Sequence, residues 1–221
     1  MGLCVTELVC ERSGRPVFDA LSFTLASGSA LVLRGANGAG KSTLLRALAG
    51  LLPVAHGSAT LDGQALAEDP EGWSERIAYA GHLDAIKPQL TAAENLGFWA
   101  ALFGAPPAAV GAALAALALD ALADRRAGSL SAGQKRRLGL ARLALAPRRL
   151  WLLDEPTVSL DAESSARLVA LLRAHCAGGG LAVIATHVEL GLAGAAELRL
   201  RPGAASATAA GADPFLAGSM A

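Results

Sequence analysis

The sequence predicts an α/β fold built around a nucleotide-phosphate loop, and three observations predict it. Residues 35–43 read G-A-N-G-A-G-K-S-T, which fits G-x-x-x-x-G-K-[ST] with Gly35, Gly40, Lys41 and Ser42 at the defining places. The flanks have the order this loop requires. Apolar Ala30-Leu31-Val32-Leu33 precedes it as a strand, and Leu44-Leu45-Arg46-Ala47-Leu48-Ala49 follows with good helix propensity, closing at Gly50. Far along the chain, Leu150-Trp151-Leu152-Leu153 is a second apolar strand, ending in the carboxylates Asp154 and Glu155.

These residue types suit phosphate chemistry. Glycines let the backbone wrap close to an anion with no Cβ in the way. The N–H groups of Gly35, Ala36, Asn37, Gly38, Ala39, Gly40, Lys41, Ser42 and Thr43 can then turn inward, backed by the positive end of the helix that follows. A helix end contributes only about 0.3–2 kcal/mol toward an anion, so Lys41 is needed against the β- and γ-phosphate charge. The Ser42 hydroxyl is the expected Mg²⁺ ligand, since Mg²⁺ needs few protein ligands beside phosphates. Asp154 ends its strand where a Walker B carboxylate holds Mg²⁺, and Glu155 beside it can accept a proton from an attacking water.

The remaining elements follow in order. Residues 3–9 and 17–25 read as strands, the second from the alternation of Val17, Leu21, Phe23 and Leu25, with Ser13-Gly14-Arg15-Pro16 as the turn between them. Ser27-Gly28 turns into the strand before the loop. Leu52-Pro53 and Gly57 break the chain after the loop's helix. A short strand then leads to a hairpin turn at Asp62-Gly63, and another is expected at residues 76–80. These segments suggest an antiparallel β layer beside the first nucleotide-binding strand. From about Leu90 the texture is helical, with helices expected at 92–103, 106–122 and 134–145, the first opened by a capping box, Thr91 to Glu94. Beyond the Asp154–Glu155 strand come a helix at 161–176 ending in Gly178-Gly179-Gly180, a strand at 181–185 leading to Thr186-His187, and a last strand near 197–201. The Ala/Gly/Ser-rich tail, residues 203–221, has no period; it is expected to be flexible and receives no role.

Composition narrows the function. A length of 221 residues suits one domain, or one with an insertion. Formal net charge is zero, so no basic field argues for nucleic acid. Cys4, Cys10 and Cys176 lack metal spacing and do not pair evenly, which fits a reducing compartment. The first residues lack the basic start, apolar run and cleavage site of a secretory signal. From Leu96 to Leu119 there is no charged residue, a length that would suit a membrane span. Gly104 and Pro106-Pro107 interrupt it, and the expectation is two helices joined by a turn.

Leu130-Ser131-Ala132-Gly133-Gln134 resembles the L-S-G-G-Q signature of ATP-binding cassette (ABC) proteins, with Ala132 in place of a glycine. Physically it is a second anion site made of a Ser hydroxyl, the N–H near Gly133 and a helix N-terminus. One chain does not need two such sites for one triphosphate. In the family, the signature of one protomer covers the γ-phosphate held by the phosphate loop of the other, so two ATP molecules are sandwiched in a head-to-tail homodimer. The resemblance extends over residues 3–202. It implies a phosphate-loop NTPase with a RecA-like core (1–83 and 146–202), an antiparallel β layer and an inserted helical subdomain (84–145), together a single nucleotide-binding domain over 1–202. It implies ATP and Mg²⁺ as ligands, with Ser131, Gly133 and Gln134 as nucleotide contacts. Glu155 becomes the catalytic base, and His187 the switch histidine that touches the γ-phosphate. Pro156-Thr157-Val158-Ser159-Leu160-Asp161 resembles the D-loop at the dimer seam.

Two positions depart from the family pattern. Where most members carry Gln touching Mg²⁺ and the membrane partner, this chain has His82, whose neutral imidazole can still meet a metal or water. Where an aromatic residue normally stacks on adenine, the turn is Cys10-Glu11-Arg12; Arg12 can stack through its guanidinium plane, a contact of about 0.5–2 kcal/mol. Together with L-S-F at 21–23, G-H-L-D-A-I-K at 81–87 and E-N-L-G-F-W at 94–99, these features resemble one branch, the haem-exporter ATP-binding subunits of cytochrome c maturation (the CcmA family). That resemblance implies a peripheral ATPase on the cytoplasmic face of the bacterial inner membrane. Its partners would be the integral B and C components, and its hydrolysis would power release of a haem-loaded chaperone. A subunit of another ABC exporter, or an ABC ATPase without transport, is the alternative; the latter usually has two cassettes in one chain, a coiled-coil insertion or a basic linker.

Overall fold

The computed structural model describes residues 1–145 and 148–201. The chain opens with β1 (Gly2–Val9), a two-residue ribbon β2 (Glu11–Arg12) and β3 (Arg15–Pro16), then β4 (Leu21–Ala26) and β5 (Ala30–Arg34). Helix α1 (Lys41–Leu48) leads to β6 (His56–Leu61), β7 (Gln64–Ala65), α2 (Pro70–Glu75) and β8 (Ile77–Ala80). The helical stretch holds α3 (Ala92–Phe103), α4 (Ala109–Ala116) and α5 (Ala132–Ala141). Strand β9 (Leu150–Asp154), helix α6 (Ala162–Ala177), β10 (Leu181–Ala185) and β11 (Ala196–Arg199) complete the fold.

Five strands form one parallel sheet in the order β11-β5-β10-β9-β8. Its central strands β9 and β10 are buried at every residue, which is why they read as unbroken apolar runs. The sheet alternation sorts their side chains onto two cores. Leu150, Leu152, Leu181 and Val183 pack with α1 and with Leu3, Val5 and Leu61 of the antiparallel layer. Trp151, Leu153, Ala182 and Ile184 face the opposite way, against Leu96, Leu114, Leu138, Leu168 and Leu172. The antiparallel sheet runs β4-β1-β6-β7, with a bulge in β1 where Glu7 takes φ 47°.

Several boundaries differ from expectation. The strand expected at 17–25 begins at Leu21, because Phe18 turns inward, fully buried beneath the phosphate loop. Arg15 and Pro16, expected in the turn, pair with Glu11 and Arg12. The strand expected at 76–80 is not in the antiparallel layer; β8 is the edge of the parallel sheet, next to β9. The helix expected at 106–122 is cut to α4 plus a 3-10 turn at Asp120–Leu122, since Ala118 takes φ 52° to bury both Leu117 and Leu119. The helix expected at 134–145 starts at Ala132 and passes into a 3-10 turn at Arg142–Ala144, and the last strand ends at Arg199. Helix α2 was not expected; Asp69 caps it by accepting from the Gly72 N–H, and Pro70 sets its first turn.

The uncharged stretch is two helices. Thr91 and Glu94 close the capping box of α3, and Gly104 at φ 69° ends it. Among the described residues, no helix is long and apolar enough to cross a membrane. The 203–221 tail lies outside the described residues.

Candidate functional site

Between β5 and α1 the chain must turn sharply, and the Ala39 N–H, expected to face the phosphates, instead closes that turn by donating to Ala36 O at 3.1 Å. Gly35, Gly38 and Gly40 make the turn at φ 146°, 81° and 95°, left-handed values that other residues reach only with strain. At Gly40 space is also decisive: a Cβ would lie 2.6 Å from Phe18 Cδ1. Gly40 is the N-cap of α1, no side chain bonds there, and the first turn holds no acid. The leading N–H groups are thus left for a ligand. Lys41 is buried, and its ammonium donates to Gly35 O at 2.8 Å and Ala36 O at 3.2 Å.

The other wall comes from the ends of β9 and β10, which the parallel register sets side by side, Asp154 opposite Ala185. Asp154 is 5% exposed. Glu155 turns away at φ 44°, its N–H donating to Ala185 O at 2.8 Å. Two residues beyond β10, His187 Nε2 lies 3.1 Å from Lys41 Nζ and 3.4 Å from Glu155 Oε1. An ammonium has donors only, so Nε2 accepts from Lys41. On the same side, the main-chain N–H of His187 donates to Glu155 Oε2 at 3.4 Å.

Arg12, Asn37, Gly38, Gly40, Lys41, Ser42, Thr43, Asp154, Glu155 and His187 line one cavity of about 390 Å³. Gly35 and Ala36 meet Lys41 through their carbonyls, and Ala39 is buried under the loop. Among the described residues no three His, Cys, Asp or Glu side chains converge as a metal cage. Ser42 and Asp154 are two hard oxygen donors lining the same cavity, a set that fits Mg²⁺ when phosphate and water supply the rest. Val17 also lines the cavity.

The structure does not bring His82, Ser131, Gly133 and Gln134 into this cavity. His82 is exposed and lines a separate cavity of about 250 Å³ with Ala132, Lys135 and Ser159. Ser131 is the N-cap of α5. Its hydroxyl accepts from the Gln134 N–H at 3.2 Å, while its own N–H donates to Gln134 Oε1 at 2.9 Å. The Gln134 side chain, expected as a nucleotide contact, is therefore engaged in a capping box. Gly133 packs so closely on the D-loop segment that a Cβ would stand 2.7 Å from Ser159 O. Ala132 lies inside the helix, with no positive φ to require glycine.

Two arginines that sequence reasoning passed over shape this site. Arg34 Nη1 donates to Thr186 O at 2.9 Å and Val188 O at 3.0 Å, the carbonyls on either side of His187, and its other nitrogens pair with Glu189 and Glu197. Arg136 reaches the carbonyls of Asp154, Glu155 and Pro156. The signal for Arg34 was a charge closing an apolar strand; for Arg136 it was a basic run inside an otherwise packed helix.

The profile of the ABC transporter family matches residues 18–158. The chain is 55% identical over 192 residues to the cytochrome c biogenesis ATP-binding export protein CcmA of Ruegeria pomeroyi, covering 87% of this chain and 88% of that one. The protein of the same description from Cereibacter sphaeroides is 51% identical, covering 97% and 95%. Among solved structures, an ATP-binding subunit of an ABC transporter superposes with a TM-score of 0.83 at 24% identity, over 91% of this chain and 86% of that one. A bacterial Atm1-family ABC exporter with ATP bound gives 0.80 at 25% identity, over 90% of this chain and 37% of that one.

Proposed function

For a chain that belongs to the ABC transporter family, among its cytochrome c biogenesis ATP-binding export proteins, we propose that ATP is bound at the phosphate loop and hydrolysed across a dimer of two copies. The protein is the ATP-binding and ATP-hydrolysing subunit of the haem export system of cytochrome c biogenesis. The observation that carries the site reading is the convergence of Lys41, Glu155 and His187 at the mouth of a loop bent through three left-handed glycines.

Each group has a task that its surroundings support. The loop N–H groups and Lys41 hold the β- and γ-phosphates, and Thr43 closes the cradle behind Ser42. A phosphate oxygen entering the loop competes for the Lys41 ammonium, whose partners include His187 Nε2. Releasing Nε2 turns the histidine toward the γ-phosphate. Ser42 and Asp154 would hold Mg²⁺, which would supply positive charge against the charge developing on the phosphate. Glu155 takes the proton of the attacking water as the new P–O bond forms and ADP leaves. Arg12, which lines the cavity, is the available platform for adenine.

Ser131 and Gly133 do not line this chain's own loop cavity, which supports their use on the nucleotide of a second copy. To move such a pair from 1:99 to 99:1 closed, ATP must favour closure by about 5.5 kcal/mol. The domain divides into a core (1–83 and 146–202) and a helical part (84–145). The loop at residues 82–87 passes closure to integral membrane subunits, the B and C components, at the cytoplasmic face of the inner membrane. His82 serves at that junction rather than at a metal in the open form. The work done is release of the haem-loaded chaperone.

Glu155→Gln tests this reading. The ATP-loaded variant is expected to sediment as a dimer with turnover reduced by about 10²–10⁴-fold; a loaded variant that stays monomeric, also with its membrane subunits supplied, would sink it. Ser131→Arg should leave single-copy nucleotide affinity intact and abolish both dimer and turnover.

A further inference from the structure

An arginine carries five N–H donors in a flat fork and no acceptor. Arg136 is 6% exposed, and each of its five donors has one partner. Nε donates to Pro156 O at 3.2 Å. One Nη1 hydrogen serves Gly81 O at 2.9 Å and the other Asp84 Oδ1 at 3.0 Å. Nη2 donates to Asp154 O at 3.1 Å and Glu155 O at 2.9 Å. Four of the five acceptors are main-chain carbonyls, and three of those are consecutive. The turn that follows β9 is therefore wrapped around one guanidinium.

A buried cation is a poor means of gaining stability, because its desolvation cost rivals its attractions. The chain buries a second one beside it. Arg142 donates to the main-chain carbonyls Tyr79 O and Asp84 O, while the Asp84 carboxylate pairs with Arg136. What the arrangement does supply is orientation. Glu155 sits at φ 44°, a conformation that a non-glycine residue keeps only when its surroundings impose it. Its N–H is held by Ala185 O on one side and its carbonyl by Arg136 on the other.

We propose that Arg136 is the positioning residue for Glu155. Through three successive carbonyls it holds the turn that aims the Glu155 carboxylate at His187 and the loop cavity. Through Gly81 and Asp84 it ties that turn to the 82–87 segment. This rests on the reading of Glu155 as the base. It adds a route by which the seat of a membrane subunit reaches the chemistry. When the 82–87 segment shifts against β9, Arg136 must either carry the turn with it or give up bonds to one side, so the base is aligned only while that segment is seated.

The test compares Arg136→Lys, Arg136→Gln and Glu155→Gln in the full chain, assembled with its membrane subunits. A lysine keeps the charge but has three donors, so at least two acceptors are lost. We expect Arg136→Lys to lower kcat by about tenfold or more and Arg136→Gln by still more. KM for ATP, and the Kd of a fluorescent ATP analogue, should stay within about twofold of the parent. A purely structural arginine would instead lower the melting temperature, nucleotide binding and kcat in step. That outcome overturns the proposal, and so does a kcat within about twofold of the parent in both Arg136 variants. Should Arg136→Gln fail to fold, Arg136→Lys decides alone. Normal turnover in Glu155→Gln would remove the base itself. An inactive Glu155→Gln beside a fully active Arg136→Lys would remove only the positioning role.

Discussion

Helices α1 and α5 both begin at glycine-containing loops, and each presents the partial positive charge of a helix N-terminus, yet the two ends are finished in opposite ways. At α1 the N-cap is a left-handed glycine, no side chain bonds to the first N–H groups, and a buried lysine stands beside them. At α5 Ser131 and Gln134 satisfy each other's backbone N–H groups in a reciprocal box. The difference teaches what each end is for. The α1 end is left unsatisfied so that an anion can complete it, and it relies on the fold around it, Phe18 and the β9 turn, to keep its shape. The α5 end is complete in the lone chain. It holds its geometry without any ligand, as the proposed use on a nucleotide carried by another copy requires.

The largest expected effect is at the open end. Lys41→Ala should weaken nucleotide binding by about 10- to 100-fold, the loss of a charge-assisted bond, read by titration of a fluorescent ATP analogue into the single chain. An unchanged affinity would break the contrast, because the uncapped N–H groups would then suffice alone. Gly133→Ala comes next. The added Cβ meets the Ser159 carbonyl, and backbone cannot give way as a flexible side chain can; a loss of about 1–3 kcal/mol in urea unfolding is expected, with nucleotide binding by the lone chain retained.

Ser131→Ala removes a cap and should cost about 1 kcal/mol by the same measurement. Helix α1 has no cap to lose, so no equivalent substitution exists there. The smallest effect concerns a third helix start. Asp161 caps α6 by accepting from the Ser164 N–H at 2.7 Å. That bond favours the ionised carboxyl and holds it below the ordinary aspartate value. With the folded value below the unfolded one, the cap's contribution is complete above the unfolded value and is lost as pH falls through the folded one. Stability followed by urea unfolding from neutral to acid pH should therefore slope less in Asp161→Asn than in the parent. The Ser131 box contains no titrating group and should add no slope of its own.

Local chemistry explains most of what could be read without coordinates. The phosphate loop, its flanking strand and helix, the Asp154–Glu155 strand end and the Thr91 capping box are each defined by neighbours within a few residues. Helix α2 escaped notice because six residues show no period. The truncation of α4 could not be read from an alanine-rich stretch, where no residue marks the place at which Leu117 and Leu119 must both turn inward. Strand β8 looked like its antiparallel neighbours in sequence, and only its register with β9 puts it in the other sheet.

The sequence by itself determined the α/β class and the loop that cradles phosphate. It also determined the strand that ends in two acids and the signature that begins a second helix. These depend on glycine freedom, strand alternation and capping, all set by spacing along the chain. Only the tertiary structure decided that His187 rests on Lys41 and that His82 stands apart from the loop cavity. It alone decided that Arg34 and Arg136 hold the turns bearing His187 and Glu155. Those contacts join residues far apart in the chain, from Arg136 and Asp154 at the nearest to Arg34 and Val188 at the farthest, and a guanidinium has no preference for one carbonyl over another until packing brings them together.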